Sequence, residues 1–251
     1  MGTEMGQNRV YEMAKKWGFW IGPLAAYRGV LPSRTFTAAP ELDVPSWFDI
    51  RTFKDKETRE EDEESITRAA GWVHGFIDHE INENGIPAER IIVGGISQGG
   101  AVACCTLLMA EKKLGGVFIL SSSAPLRGKL RELKSEMASS IPIFWAHGHQ
   151  DISLRFAFAL ECATLLAEAL GVKLVISEEP SDETAKLALE KGAEEEVAGS
   201  AGLRFMGYKS LEHSFSVEEL RDLSVWFRQL LGKPGSSSDP GHAPGCTCVV
   251  V

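Results

Sequence analysis

The sequence predicts an α/β fold, a mostly parallel sheet with helices on both faces, and three observations carry that expectation. Short runs of apolar residues alternate along the chain with segments of helical periodicity, the pattern of βα units. The runs are apolar throughout rather than at every second position, as in strands buried on both faces. A chain of 251 residues is long enough for one sizeable α/β domain with a short appendage.

Each element follows in order. Met1 to Val30 has no clear period: Asn8 to Trp20 has the length of a short helix, but Gly18, Gly22 and Pro23 interrupt it. Leu31 to Asp49 is proline-rich and irregular, closing on Pro45-Ser46-Trp47-Phe48-Asp49, and Lys54 to Glu64 is a charge run expected to be a solvated loop or helix start. Ile66, Ala70, Val73, Ile77 and Ile81 recur at helical spacing and predict an amphipathic helix over Ser65 to Glu83. Ile91-Ile92-Val93 reads as a buried strand, Gln98 to Lys113 as a helix, Val117 to Leu120 and Ile141 to Ala146 as two further strands. Leu154 to Leu170 is a helix closed by Gly171. Val172 to Ile176 and Leu203 to Tyr208 are strand candidates, and Ser216 with Glu219 forms a capping box for the last helix. This gives three regions: an atypical segment over 1–29, the main domain over 30–231, and a flexible Gly-, Pro- and Ser-rich tail over 232–251.

A formal charge of −9 argues against nucleic acid as a partner, because phosphate binding wants a basic face. No apolar run has the length to cross a bilayer, and the N-terminus lacks a secretory pattern, so a cytosolic address is expected. Five cysteines do not make a disulfide framework, and Cys104, Cys105 and Cys162 read as small core residues in helices.

Gly95-Ile96-Ser97-Gln98-Gly99 matches G-x-S-x-G. The pattern alone is weak, but it follows a buried strand and opens a helix, the setting of a nucleophile elbow in the α/β-hydrolase fold. The turn lifts the Ser97 hydroxyl above the sheet and turns the Gln98 N–H toward a developing oxyanion. A serine needs a base, and six histidines compete. His74 and His79 lie on the helix before the elbow, His242 lies in the tail, and His147 and His149 lie just past a strand end. His213 follows the last strand candidate. Asp151, on the loop after a strand, is the acid, since triad partners run Ser, Asp, His along such chains and gather at the carboxyl ends of strands. A rival reading takes His147-x-His149-x-Asp151 as a metal cluster. It leaves the elbow unexplained, and no metal is expected.

With these residues in hand, the chain resembles the acyl-protein thioesterases within the phospholipase/carboxylesterase family, over roughly Val30 to Leu231. Four segments carry the resemblance: Pro45-Ser46-Trp47-Phe48-Asp49, the stretch from Gly85 to Ala101, the loop from Ala146 to Asp151, and His213-Ser214. It implies an α/β-hydrolase fold, no cofactor, a catalytic triad of Ser97, Asp151 and His213, and Gln98 in the oxyanion hole. It also implies Trp47 and Phe48 as substrate-binding residues. Acylated proteins, small acyl esters and lysolipids are the expected substrates, and depalmitoylation of protein cysteines the expected activity. Three departures accompany it. The family's first strand and its His-Gly-x-Gly-Asp oxyanion loop are missing or replaced, Glu178 to Gly202 is an extra stretch, and a tail follows Leu231.

The extra stretch reads as a surface excursion, with a lid as the alternative. The tail ends in Cys248-Val249-Val250-Val251, which fits C-a-a-X, with Cys246 two places upstream; lipidation there would give peripheral membrane association. Two function classes follow. The first is a serine hydrolase of acyl thioesters or carboxylic esters, and the second a non-catalytic or weakly active acyl-binding protein on the same fold.

Overall fold

The computed structural model describes residues 33–55, 57–178, 201–231 and 247–250. The segment over 1–29, residues 179–200 of the extra stretch, and residues 232–246 and 251 of the tail, Cys246 among them, lie outside the described residues.

Six strands form one parallel sheet in the order β6-β7-β5-β4-β3-β8. They are β3 (Ile91–Ile96), β4 (Gly116–Leu120), β5 (Ile143–Gly148), β6 (Leu174–Glu178), β7 (Leu203–Tyr208) and β8 (Thr247–Val250). The helices between them are α1 (Glu63–Asn82), α2 (Gln98–Leu108), the single turn α3 (Leu130–Leu133), α4 (Phe156–Leu170) and α5 (Val217–Leu231). Alternate residues of β3, β4, β5 and β7 feed two cores. Ile91, Val93, Val117, Ile119, Ile143, Trp145 and Phe205 pack with α1, α2 and α4 on one face. Ile92, Phe118, Leu120, Phe144, Met206 and Tyr208 pack on the other against Leu223 and Trp226 of α5. Burial on both faces is why the strands read as unbroken apolar runs. The α/β-hydrolase expectation holds.

Several boundaries and assignments are corrected. Leu31 to Asp49 is not irregular throughout: Ser33–Phe36 (β1) and Ala39–Pro45 (β2) pair antiparallel, with a register shift between Thr35 and Phe36. The two prolines, Pro40 and Pro45, hid this hairpin; proline is tolerated in edge pairs and at strand ends. The charge run is held rather than free. Glu57 pairs with Arg155, Glu61 accepts the Leu126 N–H at 2.7 Å, and Asp62 caps α1 by accepting the Ser65 N–H at 3.2 Å. Helix α2 stops at Leu108 rather than Lys113, because Ser135 reaches in from outside: its N–H bonds the Leu108 carbonyl and its hydroxyl the Ala110 carbonyl. Strand β5 extends through His147 and Gly148, so His147 lies inside the sheet rather than past its end.

The reading of the whole tail as flexible is also corrected. Thr247–Val250 pairs parallel to β3 in the register Ile91↔Thr247 to Gly94↔Val250 and takes the sheet position beside the strand that leads into Ser97. Cys248 is therefore paired with Ile92.

The capping box of α5 is half formed. Ser216 Oγ accepts the Glu219 N–H at 3.1 Å, but neither Glu219 carboxyl oxygen has a hydrogen-bond partner among the described residues. Burial, with Asp222 nearby, pushes the Glu219 pKa up to about 8 despite the Ser216 contact. An acid raised in the folded state costs stability as pH rises from its unfolded pKa through its folded one, because the unfolded chain ionises first. Glu219→Gln should therefore melt higher than the parent at pH 8, by about 2–4 °C per kcal/mol recovered in a chain of this size. The gap should close toward pH 4. Equal melting curves at pH 8 would show that the carboxyl finds a partner.

Candidate active site

The site lies at the carboxyl ends of β3, β4, β5 and β7. Ser97 sits between β3 and α2 with φ 55 and ψ −118, a left-handed backbone that a non-glycine residue holds only when its surroundings enforce it. They do so here through three bonds. The Ser97 N–H donates to Leu120 O at 2.9 Å, and the Ser97 carbonyl accepts from Ser122 Oγ at 2.6 Å and from the Ala101 N–H at 3.1 Å.

Ser97 Oγ lies 2.9 Å from His213 Nε2, and His213 Nδ1 lies 2.8 Å from Asp151 Oδ2. An ionised Asp151 only accepts, so Nδ1 carries the proton and Nε2 presents its lone pair to the serine hydroxyl. Asp151 Oδ1 accepts the Ser153 and Leu154 N–H groups at 2.8 and 2.7 Å. Burial alone would raise the Asp151 pKa, but hydrogen bonds from His147, His213 and the Leu154 N–H, with the His213 charge, hold it well below the usual carboxylate range. Asp151 thus stays ionised across the range in which an ordinary histidine titrates.

The sequence-predicted residues do not all converge. Gln98 N–H, at the start of α2, has no acceptor among the described residues and flanks Ser97. The Gln98 side chain does something the sequence did not announce: its Nε2 donates to Phe48 O at 2.7 Å and its Oε1 accepts the Trp47 N–H at 2.8 Å. This clips the Pro45–Asp49 segment to the residue after the serine, while the Asp49 N–H reaches Asp62 at 3.2 Å. Phe48 is corrected from substrate contact to core: the residue is 6% exposed and packs in the larger apolar cluster. Trp47 is half-buried and keeps surface toward solvent.

His149 turns away from the triad, stacking on Phe156 at 3.7 Å and bonding Glu178 at 2.8 Å. His147 turns to Leu154 O and Asp151. The three residues of the rival metal reading therefore do not share a ligand position, and no group of three or more metal-ligating side chains occurs among the described residues. Cys104, Cys105 and Cys162 are buried, free thiols, and burial pushes Cys105 up to about 12.

Two serines escaped sequence reasoning. Ser121 and Ser122 follow β4 directly; Ser121 Oγ donates to Ser214 O at 3.1 Å, and Ser122 Oγ to Ser97 O. One holds the loop of His213 and the other the turn at Ser97. Their signal was the Ser121-Ser122-Ser123 run at a strand's carboxyl end, where the strand-end rule already pointed. No described helix is long and apolar enough to cross a membrane.

Comparison with known proteins identifies the family of this fold. The phospholipase/carboxylesterase family model matches residues 31–191. An acyl-protein thioesterase 1 of Cryptococcus neoformans is 33% identical over 191 residues, covering 76% of this chain and 73% of that protein. The carboxylesterase SOBER1 of Arabidopsis thaliana is 31% identical over 219 residues, covering 87% and 79%. Its crystal structure superposes with a TM-score of 0.64 at 27% identity, over 80% of this chain and 81% of that one. The strand-end constellation of Ser97, His213 and Asp151 thus stands in a chain that belongs to the phospholipase/carboxylesterase family of α/β-hydrolases.

Proposed function

We propose that Ser97, Asp151 and His213 are a catalytic triad that hydrolyses acyl esters and thioesters, with protein S-acyl cysteines as the preferred substrate. One observation carries this reading: the unbroken relay from Ser97 Oγ through His213 to Asp151 at 2.9 and 2.8 Å, behind a strained elbow. His213 Nε2 takes the hydroxyl proton as Ser97 Oγ bonds the acyl carbon. Asp151 keeps Nδ1–H oriented and offsets the imidazolium charge. The carbonyl oxygen, now an anion, turns to the Gln98 N–H. The imidazolium then protonates the leaving thiol or alcohol, and water repeats the cycle on the acyl-serine with His213 again as base. No cofactor is needed. The related thioesterase and carboxylesterase support the ester class, and the thioester preference rests on the first of them.

A second reading, a weakly active acyl-binding protein, is favoured by the oxyanion side. Gln98 is the one donor beside Ser97 Oγ that the described residues supply from the elbow. Losing one of two oxyanion donors costs about a hundred- to a thousandfold in rate.

The test compares three substrates under one condition: a palmitoyl-cysteine peptide, a p-nitrophenyl octanoate and a lysophosphatidylcholine. The highest kcat/KM should fall on the thioester, rising with pH as the base loses its proton. Preference for the lysolipid would leave an esterase and sink depalmitoylation. No turnover, with no labelling of the chain by a fluorophosphonate, would establish the binding reading instead.

A further inference from the structure

We propose that His147 is a positioning residue for the acid, its Nε2–H spanning Asp151 Oδ2 and Leu154 O so that the carboxylate faces His213. The proposal rests on the reading of Asp151 and His213 as acid and base and extends it to a residue with no contact to the nucleophile.

The geometry assigns the His147 proton. Nε2 lies 2.8 Å from Leu154 O and 3.3 Å from Asp151 Oδ2, and both neighbours are acceptors, so Nε2 must carry the hydrogen. Nδ1 is buried without a hydrogen-bond partner among the described residues, and a proton placed there would be stranded. The ring is fully buried, in β5, with the Phe156 ring set against it at 6.3 Å and 65°. The Nε2–H of His147 is therefore a fixed donor.

What it holds follows from the carboxylate's other bonds. Oδ1 is tied to its own loop by the Ser153 and Leu154 N–H groups. Oδ2 meets two imidazoles, His213 at 2.8 Å and His147 at 3.3 Å. Without His147, one oxygen stays pinned while the other is free to swing about the Oδ1 anchor, carrying the His213 contact with it. The Leu154 carbonyl held by the same N–H belongs to the loop that supplies one of the Oδ1 donors. One hydrogen atom thus braces both ends of the acid's cradle. The titratable groups facing Asp151 are His147 from β5 and His213 from the loop before α5, so the effect of removing either is readable.

There is also an electrostatic consequence. Each N–H on Oδ2 draws charge from it, and removing one leaves more for His213. Loss of the His147 donor should therefore make His213 harder to deprotonate and move the acid limb of kcat/KM to higher pH.

Three variants separate positioning from packing. Glutamine places an amide N–H near the position of imidazole Nε2, asparagine near that of Nδ1, and phenylalanine keeps the ring shape without a donor. His147→Asn and His147→Phe should lose about tenfold or more in kcat with little change in KM, the scale of one hydrogen bond to a charged group. Their acid limbs should move up. His147→Gln should stay near the parent in both. The His213 ring signals, titrated by NMR in a Ser97→Ala background, read the same shift without turnover. A chain that hydrolyses nothing would end the functional reading, yet the His213 midpoint still decides here. A raised midpoint in His147→Asn but not His147→Gln carries the proposal. Unmoved midpoints overturn it, as does an equal loss in all three variants that tracks their melting temperatures.

Discussion

Ser97→Ala should lower ester turnover by about 10⁴-fold or more while leaving the protein folded. The reason the two effects separate is local. The side-chain Oγ makes its recorded bond to His213 Nε2 alone, whereas the strained turn is held by backbone groups: the Ser97 N–H on Leu120 O, and the Ser97 carbonyl under Ser122 Oγ and the Ala101 N–H. Alanine keeps all three. Stability should therefore stay within about 0.5–1 kcal/mol of the parent, the range of substitutions that break no buried network. Residual rate would come from the Gln98 N–H and from binding. Adding His213→Ala to Ser97→Ala should cost almost nothing further, because the base has no hydroxyl left to activate and the two act as one unit. Hydrolysis of p-nitrophenyl acetate, read beside thermal melting, checks both. Parent-level turnover in a folded Ser97→Ala protein would remove Ser97 as nucleophile.

The fold was legible because its central strands, β3, β4, β5 and β7, are buried on both faces. Ile91-Ile92-Val93, Val117–Leu120 and Leu203–Tyr208 were found as apolar runs, and the last matches β7 residue for residue. The Ser97–His213–Asp151 relay was legible because order along the chain and the strand-end rule leave few combinations. Failures fall where sequence carries no period. The β1–β2 hairpin is short and proline-bearing, and β8 sits at the end of a Gly-, Pro- and Ser-rich segment that reads as linker. Four residues of β-branched and small side chains become a strand only because β3 offers an edge, and that is tertiary information. The side chains of Gln98, Ser121, Ser122 and His147 hold the site through bonds to residues 25 to 93 positions away, or in the case of His147 to a neighbouring loop. Spacing does not announce such contacts. Phe48 was misjudged for a related reason: an aromatic in a motif was read as a substrate contact, when the segment's attachment through Gln98 and Asp62 turns that ring into the core.

Gly148→Ala should cut kcat by about a hundredfold and destabilise the protein by about 1–3 kcal/mol. Gly148 ends β5, three residues before the acid, and its backbone runs against the loop that carries the base. A Cβ there would sit 1.9 Å from Leu211 O and 2.5 Å from Leu211 C. Those are backbone atoms and cannot swing aside as a side-chain tip does. The approach is fixed from both sides, because the His149 N–H bonds Tyr208 O at 2.9 Å and the Gln150 N–H bonds Leu211 O at 3.0 Å. To admit a methyl group, the chain around Leu211 must retreat, and His213 lies only two residues beyond it. A retreat of about 1 Å stretches both imidazole contacts out of hydrogen-bond range, which is the misplacement that costs about 10²-fold. The same substitution at Gly71 is the control. Gly71 lies inside α1 with nothing within 4 Å of the added carbon, so alanine there should gain about 0.5–1 kcal/mol by helix propensity and leave kcat alone. Measured together, the two changes are chemically identical and opposite in sign. A Gly148→Ala protein with parent kcat would mean that the base loop moves independently of β5, and that the close approach at Leu211 does not set where His213 stands.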